Sequence, residues 1–165
     1  MIVTLGEPLR PDSELLAGLI AEVTANDRGT NSGALAQRFE AEIARLVSSP
    51  HAVLTSSGTS ALTVALLALD LREGGEVITT PLTFAATAQA IEAAGLVPRF
   101  AAVDPVSLTL DPRAVADAIT PYTVAILPVH LFGFAVDPEV DAIAETHRLP
   151  VVYDAAHAFG FAPVA

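Results

Sequence analysis

Glu76-Val77-Ile78-Thr79-Thr80-Pro81-Leu82-Thr83-Phe84-Ala85-Ala86-Thr87 decides the fold, together with the segment that carries it through Gly95 to Val97. A short β-branched run comes first. Thr83 then stands as a candidate cap for a helix carrying Phe84, Ala88 and Ile91, with Gly95 past its end. A second β-branched run opens at Val97. Strand, helix, strand in this order predicts a parallel pair joined by a crossover helix.

The same alternation extends in both directions. Candidate strands are His51–Leu54, Glu76–Thr79, Val97–Val103, Val124–Val129 and Pro150–Tyr153. Most are apolar throughout, as expected of strands covered on both faces. Ala61, Leu62, Ala65, Leu66 and Leu69 form one apolar helical stripe that Gly74-Gly75 closes. Asp111-Pro112 and Asp137-Pro138 each place a capping carboxylate before a proline suited to a first helical position. The fold class expected is α/β, a mainly parallel sheet with helices on both faces. Residues 51–165 form that sheet domain. Residues 1–50 precede it as a helical arm: Leu15, Leu16, Leu19, Ile20 and Val23 mark one helix, and Leu35, Phe39, Ile43 and Leu46 another. A polar, turn-rich link from Asn26 to Gly33 joins the two.

Composition limits the partners. The chain has 165 residues, 52% hydrophobic and 16% charged, with a formal net charge of −11. That charge argues against nucleic acid and anionic membranes. The best apolar run, Ala61 to Leu71, is interrupted by Thr63 and Asp70 and falls short of the ~20 residues a membrane span needs. No basic segment precedes an apolar core at the N-terminus, so no secretory signal is read there. With no cysteine there is no disulfide or thiolate site. The expectation is a soluble, cytoplasmic chain whose excess apolar surface is covered by something outside this sequence. The chain ends at Phe161-Ala162-Pro163-Val164-Ala165, just after a strand and its loop, so the sheet is expected to lack strands.

Two segments carry the chemistry. Ser56-Ser57-Gly58-Thr59-Ser60 follows an expected strand and opens a helix. Free backbone N–H groups and the helix dipole stabilise an anion there. Gly58 allows close approach, and Thr59 and Ser60 add hydroxyls. The plain alternative is an ordinary helix cap with a glycine turn. Val151-Val152-Tyr153-Asp154-Ala155-Ala156-His157-Ala158 puts a carboxylate at the end of a buried strand, where α/β sheets hold ligand groups. A pyridine nitrogen facing Asp154 would stay protonated, and the ring would become an electron sink. His157 can reach the same ligand. The alternative is that Asp154 caps the next helix and His157 lies on the surface. Phe84 either stacks on a planar ligand ring or is core. His130 fits a hydrogen-bonded structural role better than an acid–base one, and no metal cluster is read.

In order, these pieces resemble the DegT/DnrJ/EryC1/StrS aminotransferases. The matching residues are Ser57-Gly58-Thr59-Ser60-Ala61-Leu62, Gly75-Glu76-Val77-Ile78, Pro81 through Thr87, Val103-Asp104, Ile126 through Gly133, and Asp154-Ala155-Ala156-His157-Ala158. The arm from Thr30-Asn31-Ser32-Gly33 to Phe39-Glu40 also fits. The resemblance implies a fold-type-I large domain that binds pyridoxal 5'-phosphate (PLP). Gly58, Thr59 and Ser60 would cradle the phosphate, Phe84 would stack on the ring, Asp154 would meet the pyridine nitrogen and His157 the ring hydroxyl. The turn around Asn31 would approach the substrate. It further implies a homodimer that moves an amine, usually from glutamate, onto a nucleotide-linked keto-sugar.

That family needs a Schiff-base lysine, and there is none in this chain: all eight basic residues are arginine. In the family, the lysine and the C-terminal small domain follow the Asp-Ala-Ala segment. The expectation is therefore an N-terminal portion that is inactive alone: a fragment, one part of an enzyme whose complementing C-terminal half is a second polypeptide, or a degenerate remnant. The alternative is a lysine-less, non-catalytic module that binds PLP or a sugar, or that only dimerises.

Overall fold

A computed structural model describes residues 10–25 and 32–159. The run Glu76–Thr79 is strand β1, and its last three residues are fully buried. Strand β1 is the middle of a parallel sheet in the order β2-β1-β3, with β2 at Val97–Phe100 and β3 at Thr123–Leu127. The chain leaves β1 through helix α4 (Ala86–Ala93) to reach β2 on one side. It returns through α5 (Pro112–Ala118) to β3 on the other side of β1. Because such crossovers keep one hand, reversing direction moves the connecting helix to the opposite face.

The core follows that geometry. Val77, Ala125 and Leu127 pack with Ala90 and Ile91 of α4 and with Leu62 and Leu66 of α3 (Gly58–Ala68). Ile78 and Ile126 point the other way, toward Val115 and Ala118 of α5 and Val140 and Ala144 of α6 (Glu139–His147). Adjacent strand residues serve opposite faces, so a strand covered on both sides is apolar throughout. The α/β class with helices on both faces is what the structure has.

Several local expectations change. Pro150–Tyr153 lies parallel to β3 but forms isolated bridges, Ile126 with Val151 and Val129 with Asp154. The amide of Ile126 donates to the Pro150 carbonyl and that of Asp154 to Pro128, at 3.0 and 2.9 Å. The rung between them would need an N–H at Pro128, which proline lacks. Strand β2 stops at Phe100, and Val103 instead bridges Leu110 antiparallel. His51–Leu54 belongs to no strand among the described residues. Thr83 does not cap α4: that helix begins at Ala86 without a side-chain cap. Asp111 caps α5 as expected, accepting from the amide of Arg113 at 2.9 Å. Asp137 accepts the Glu139 amide at 2.9 Å, but Pro138 holds the cap position of α6, which begins one residue later than the sequence implies.

By internal contacts the chain divides into Met1–Val53 and Leu54–Ala165. The first unit holds α1 (Ser13–Ala25) and α2 (Ala34–Leu46), and neither helix buries a residue. Leu15, Ile20, Phe39 and Leu46 are each more than half exposed.

Gly75 leads into β1 where there is no room for a side chain. An added Cβ would meet Val124 Cγ1 at 2.5 Å and the Arg72 carbonyl oxygen at 2.9 Å. Replacing glycine gains up to about 1 kcal/mol through the unfolded chain, but overpacking costs about 1–3 kcal/mol. Gly75→Ala is expected to lower the denaturant midpoint, and an unchanged midpoint would contradict this contact.

His130 is buried, its ring stacks on Tyr153 at 4.8 Å, and its Nδ1 accepts the Val136 amide at 3.0 Å. Burial holds its pKa below the usual 6.5, against the pull of Asp141 and Asp154. The unfolded chain therefore takes up this proton first as pH falls. The stability from neutral His130 is complete above about pH 6.5 and is lost as pH drops through the lower folded value. Thermal melts of wild type and His130→Gln between about pH 7 and 5 should show the steeper loss in wild type. Parallel curves would reject the assignment.

Candidate functional site

Strand order reverses at β1, so the loops after β1 and β3 diverge at the carboxyl edge of the sheet. Open α/β sheets leave their ligand crevice at such a reversal. A hollow of about 30 Å³ lies there, lined by Thr83, Phe84, Val129, Leu131, Asp154, Ala156 and His157. That is about the share of space one water molecule takes in the liquid. A ring-sized ligand would rest on this surface rather than inside it, with this chain as one wall.

Three of the residues singled out in the sequence meet at the hollow: Phe84, Asp154 and His157. Phe84 is 75% exposed, so it is not core. A bare aromatic face at the rim of a crevice is suited to stacking. Asp154 is partly buried and caps no helix: its Oδ1 accepts the Ala156 amide at 3.2 Å within a turn. Its backbone is fixed on both sides, with Asp154 N–H donating to Pro128 and the Asp154 carbonyl accepting from His130, at 2.9 and 3.0 Å. His157 is exposed and stacks on Phe132 with ring centres 5.7 Å apart. Its Nδ1 accepts the Phe132 amide at 3.4 Å. In the neutral ring the proton then sits on Nε2, leaving a donor available to a ligand oxygen.

Gly58, Thr59 and Ser60 form the first turn of α3 and do not line the hollow. Ser57 caps that helix, its Oγ accepting the Ser60 amide at 3.1 Å. The Ser60 hydroxyl lies 3.1 Å from that of Ser57 and 3.2 Å from that of Ser56. The amides of Gly58 and Thr59 lie in the stretch where no intrahelical acceptor exists. Space beside Gly58 is open, since an added Cβ would meet nothing within 4 Å. The turn thus offers backbone donors, hydroxyls and a helix dipole to an anion. Asn31 lies outside the described residues.

Sequence reasoning missed Thr87 and Phe132. Thr87 is fully buried, and its hydroxyl donates to Asp154 Oδ2 at 2.8 Å across 67 residues of chain. Thr83 Oγ1 lies 2.8 Å from Thr87 Oγ1. Phe132 has a positive φ of 52°, and this turn sets its ring beside His157. Nothing in periodicity or spacing announces either contact. A threonine on the sheet-facing side of a helix, below a crevice, was the available clue.

The chain is 41% identical over 155 residues to a dTDP-4-amino-4,6-dideoxy-D-glucose transaminase of Shigella dysenteriae, covering 93% of this chain and 42% of that one. Among solved structures it resembles DesI, determined in the presence of its TDP-sugar product (38% identity, TM-score 0.84, 93% of this chain and 39% of that one). It also resembles NtdA of Bacillus subtilis with the bound cofactor PMP (34% identity, TM-score 0.83, 93% and 36%). The chain thus spans about two fifths of the length of such relatives. Residues 12–163 match the DegT/DnrJ/EryC1/StrS aminotransferase family, and the chain belongs to that family.

Proposed function

We propose that this chain is the cofactor-binding N-terminal portion of a PLP-dependent aminotransferase acting on nucleotide-linked keto-sugars, with an amino acid such as glutamate as amine donor. The observation that carries the reading is the joint placement of Phe84, Asp154 and His157 around one hollow at the strand-order reversal. The names of its relatives supply the substrate class. Division of the chain into an arm over residues 1–50 and a partial PLP-binding domain over 51–165 belongs to the same proposal, as does a cytoplasmic homodimer. Among the described residues no helix is long and apolar enough to cross a membrane.

The residues present fit the cofactor in chemistry. A carboxylate, an exposed aromatic ring and an imidazole whose Nε2 meets no hydrogen-bond partner among the described residues border the hollow. The start of α3 suits a phosphate. When bound, PLP would supply an electron sink for amine transfer. Asp154 would hold a proton on the ring nitrogen by its charge, Phe84 would cover one ring face, and His157 would donate to the ring oxygen. Gly58, Thr59 and Ser60 would hold the phosphate, and Asn31 would approach the sugar. These 165 residues contain no lysine, so the covalent anchor comes from other residues, in a complementing C-terminal half.

Two outcomes follow. The purified chain alone should not turn over a keto-sugar with glutamate; measurable turnover would overturn the need for an outside lysine. When the chain is combined with a C-terminal half bearing the lysine, Asp154→Asn should lower kcat roughly 10- to 100-fold, the worth of a charged hydrogen bond. Cofactor occupancy, followed by absorbance titration, should change far less. Equal losses in rate and occupancy would mean that Asp154 is structural.

A further inference from the structure

We propose that Thr87 is a positioning residue for Asp154: its hydroxyl binds Oδ2 and so fixes the carboxylate orientation that a ligand ring nitrogen meets. The inference rests on the cofactor-site reading above and adds a residue to it.

The direction of the hydrogen bonds carries the argument. An ionised carboxylate only accepts, so Thr87 must spend its single hydroxyl proton on Asp154 Oδ2, at 2.8 Å. Thr87 Oγ1 can then serve Thr83 only as acceptor, and the 2.8 Å contact between them runs from Thr83 to Thr87. Two hydroxyl dipoles are thereby aligned toward one carboxylate. Hydrogen bonds in such a chain polarise one another, and a bond to a charged acceptor is the stronger kind. Thr87 is fully buried on α4, which packs in the core, so this donor has no solvent alternative. Oδ1 accepts only the Ala156 amide, at 3.2 Å, among the described residues. One oxygen is therefore clamped from inside the protein. The other keeps acceptor capacity for a group at the hollow, which Asp154, Thr83 and Phe84 line together.

The experiment uses two probes. Pyridoxamine 5'-phosphate carries its own amine and needs no lysine. Its 1-deaza analogue replaces the ring nitrogen by carbon and cannot meet Asp154. Both are titrated into the 165-residue chain at up to roughly millimolar concentration, with binding read from backbone amide chemical shifts. Wild type is expected to prefer the pyridine probe by roughly tenfold. Thr87→Val keeps the shape, loses the donor and should bring the ratio near one. Thr87→Ser restores the hydroxyl and should restore the preference. If the valine variant does not fold, Thr87→Ala removes the same donor and is read in its place. A merely structural Thr87 would weaken both probes alike and leave the ratio intact, which overturns the inference while sparing the cofactor reading. Wild type that binds neither probe overturns the cofactor reading, and the inference with it.

Discussion

The pairing of β1 on both of its edges governs the rest of the molecule. Because β2 lies on one side and β3 on the other, the chain must change direction. That change sends α4 and α5 to opposite faces and parts the loops at the carboxyl edge. Thr79 reinforces the point of parting, its buried hydroxyl donating to the Leu127 carbonyl at 2.7 Å. Phe84 and Asp154 then lie on opposite banks of one gap, and Thr87 ties the banks together beneath it.

The legible parts of the fold were those in which local chemistry and burial agree. Glu76–Thr79 is short, carries the β-branched run Val77-Ile78-Thr79 and is preceded by Gly74-Gly75, and the structure has it with those bounds. Asp111-Pro112 caps its helix because the carboxylate and the fixed proline φ favour the same geometry. His51–Leu54 has strand composition, but composition does not provide a neighbouring edge to pair with. Pro150–Tyr153 has its neighbour, yet one residue of that neighbour, Pro128, lacks the hydrogen a rung requires.

At the site, residue types could be read and contacts could not. Asp154 and Phe84 stand out by their positions after strands. The hydroxyl that holds Asp154 is 67 residues away, and the amide that orients His157 is 25 residues away. Thr83 looked like a helix cap because threonine before an apolar stripe usually is one. Here it meets Thr87 one turn on, and helix α4 begins later. Tertiary placement decided both cases, and no window along the sequence contains it.

Strand β2 forms an outer margin of this sheet, with Pro98 opposite Val77 of β1. The amides of Val97 and Ala101 point inward, to the Gly75 and Thr79 carbonyls. By alternation, position 98 faces outward, and a proline there has no hydrogen to offer a stranger's backbone. A chain this rich in apolar residues is exposed to runaway strand stacking between copies. One imino acid at the rim removes a donor from the middle of the strand's outward-facing edge.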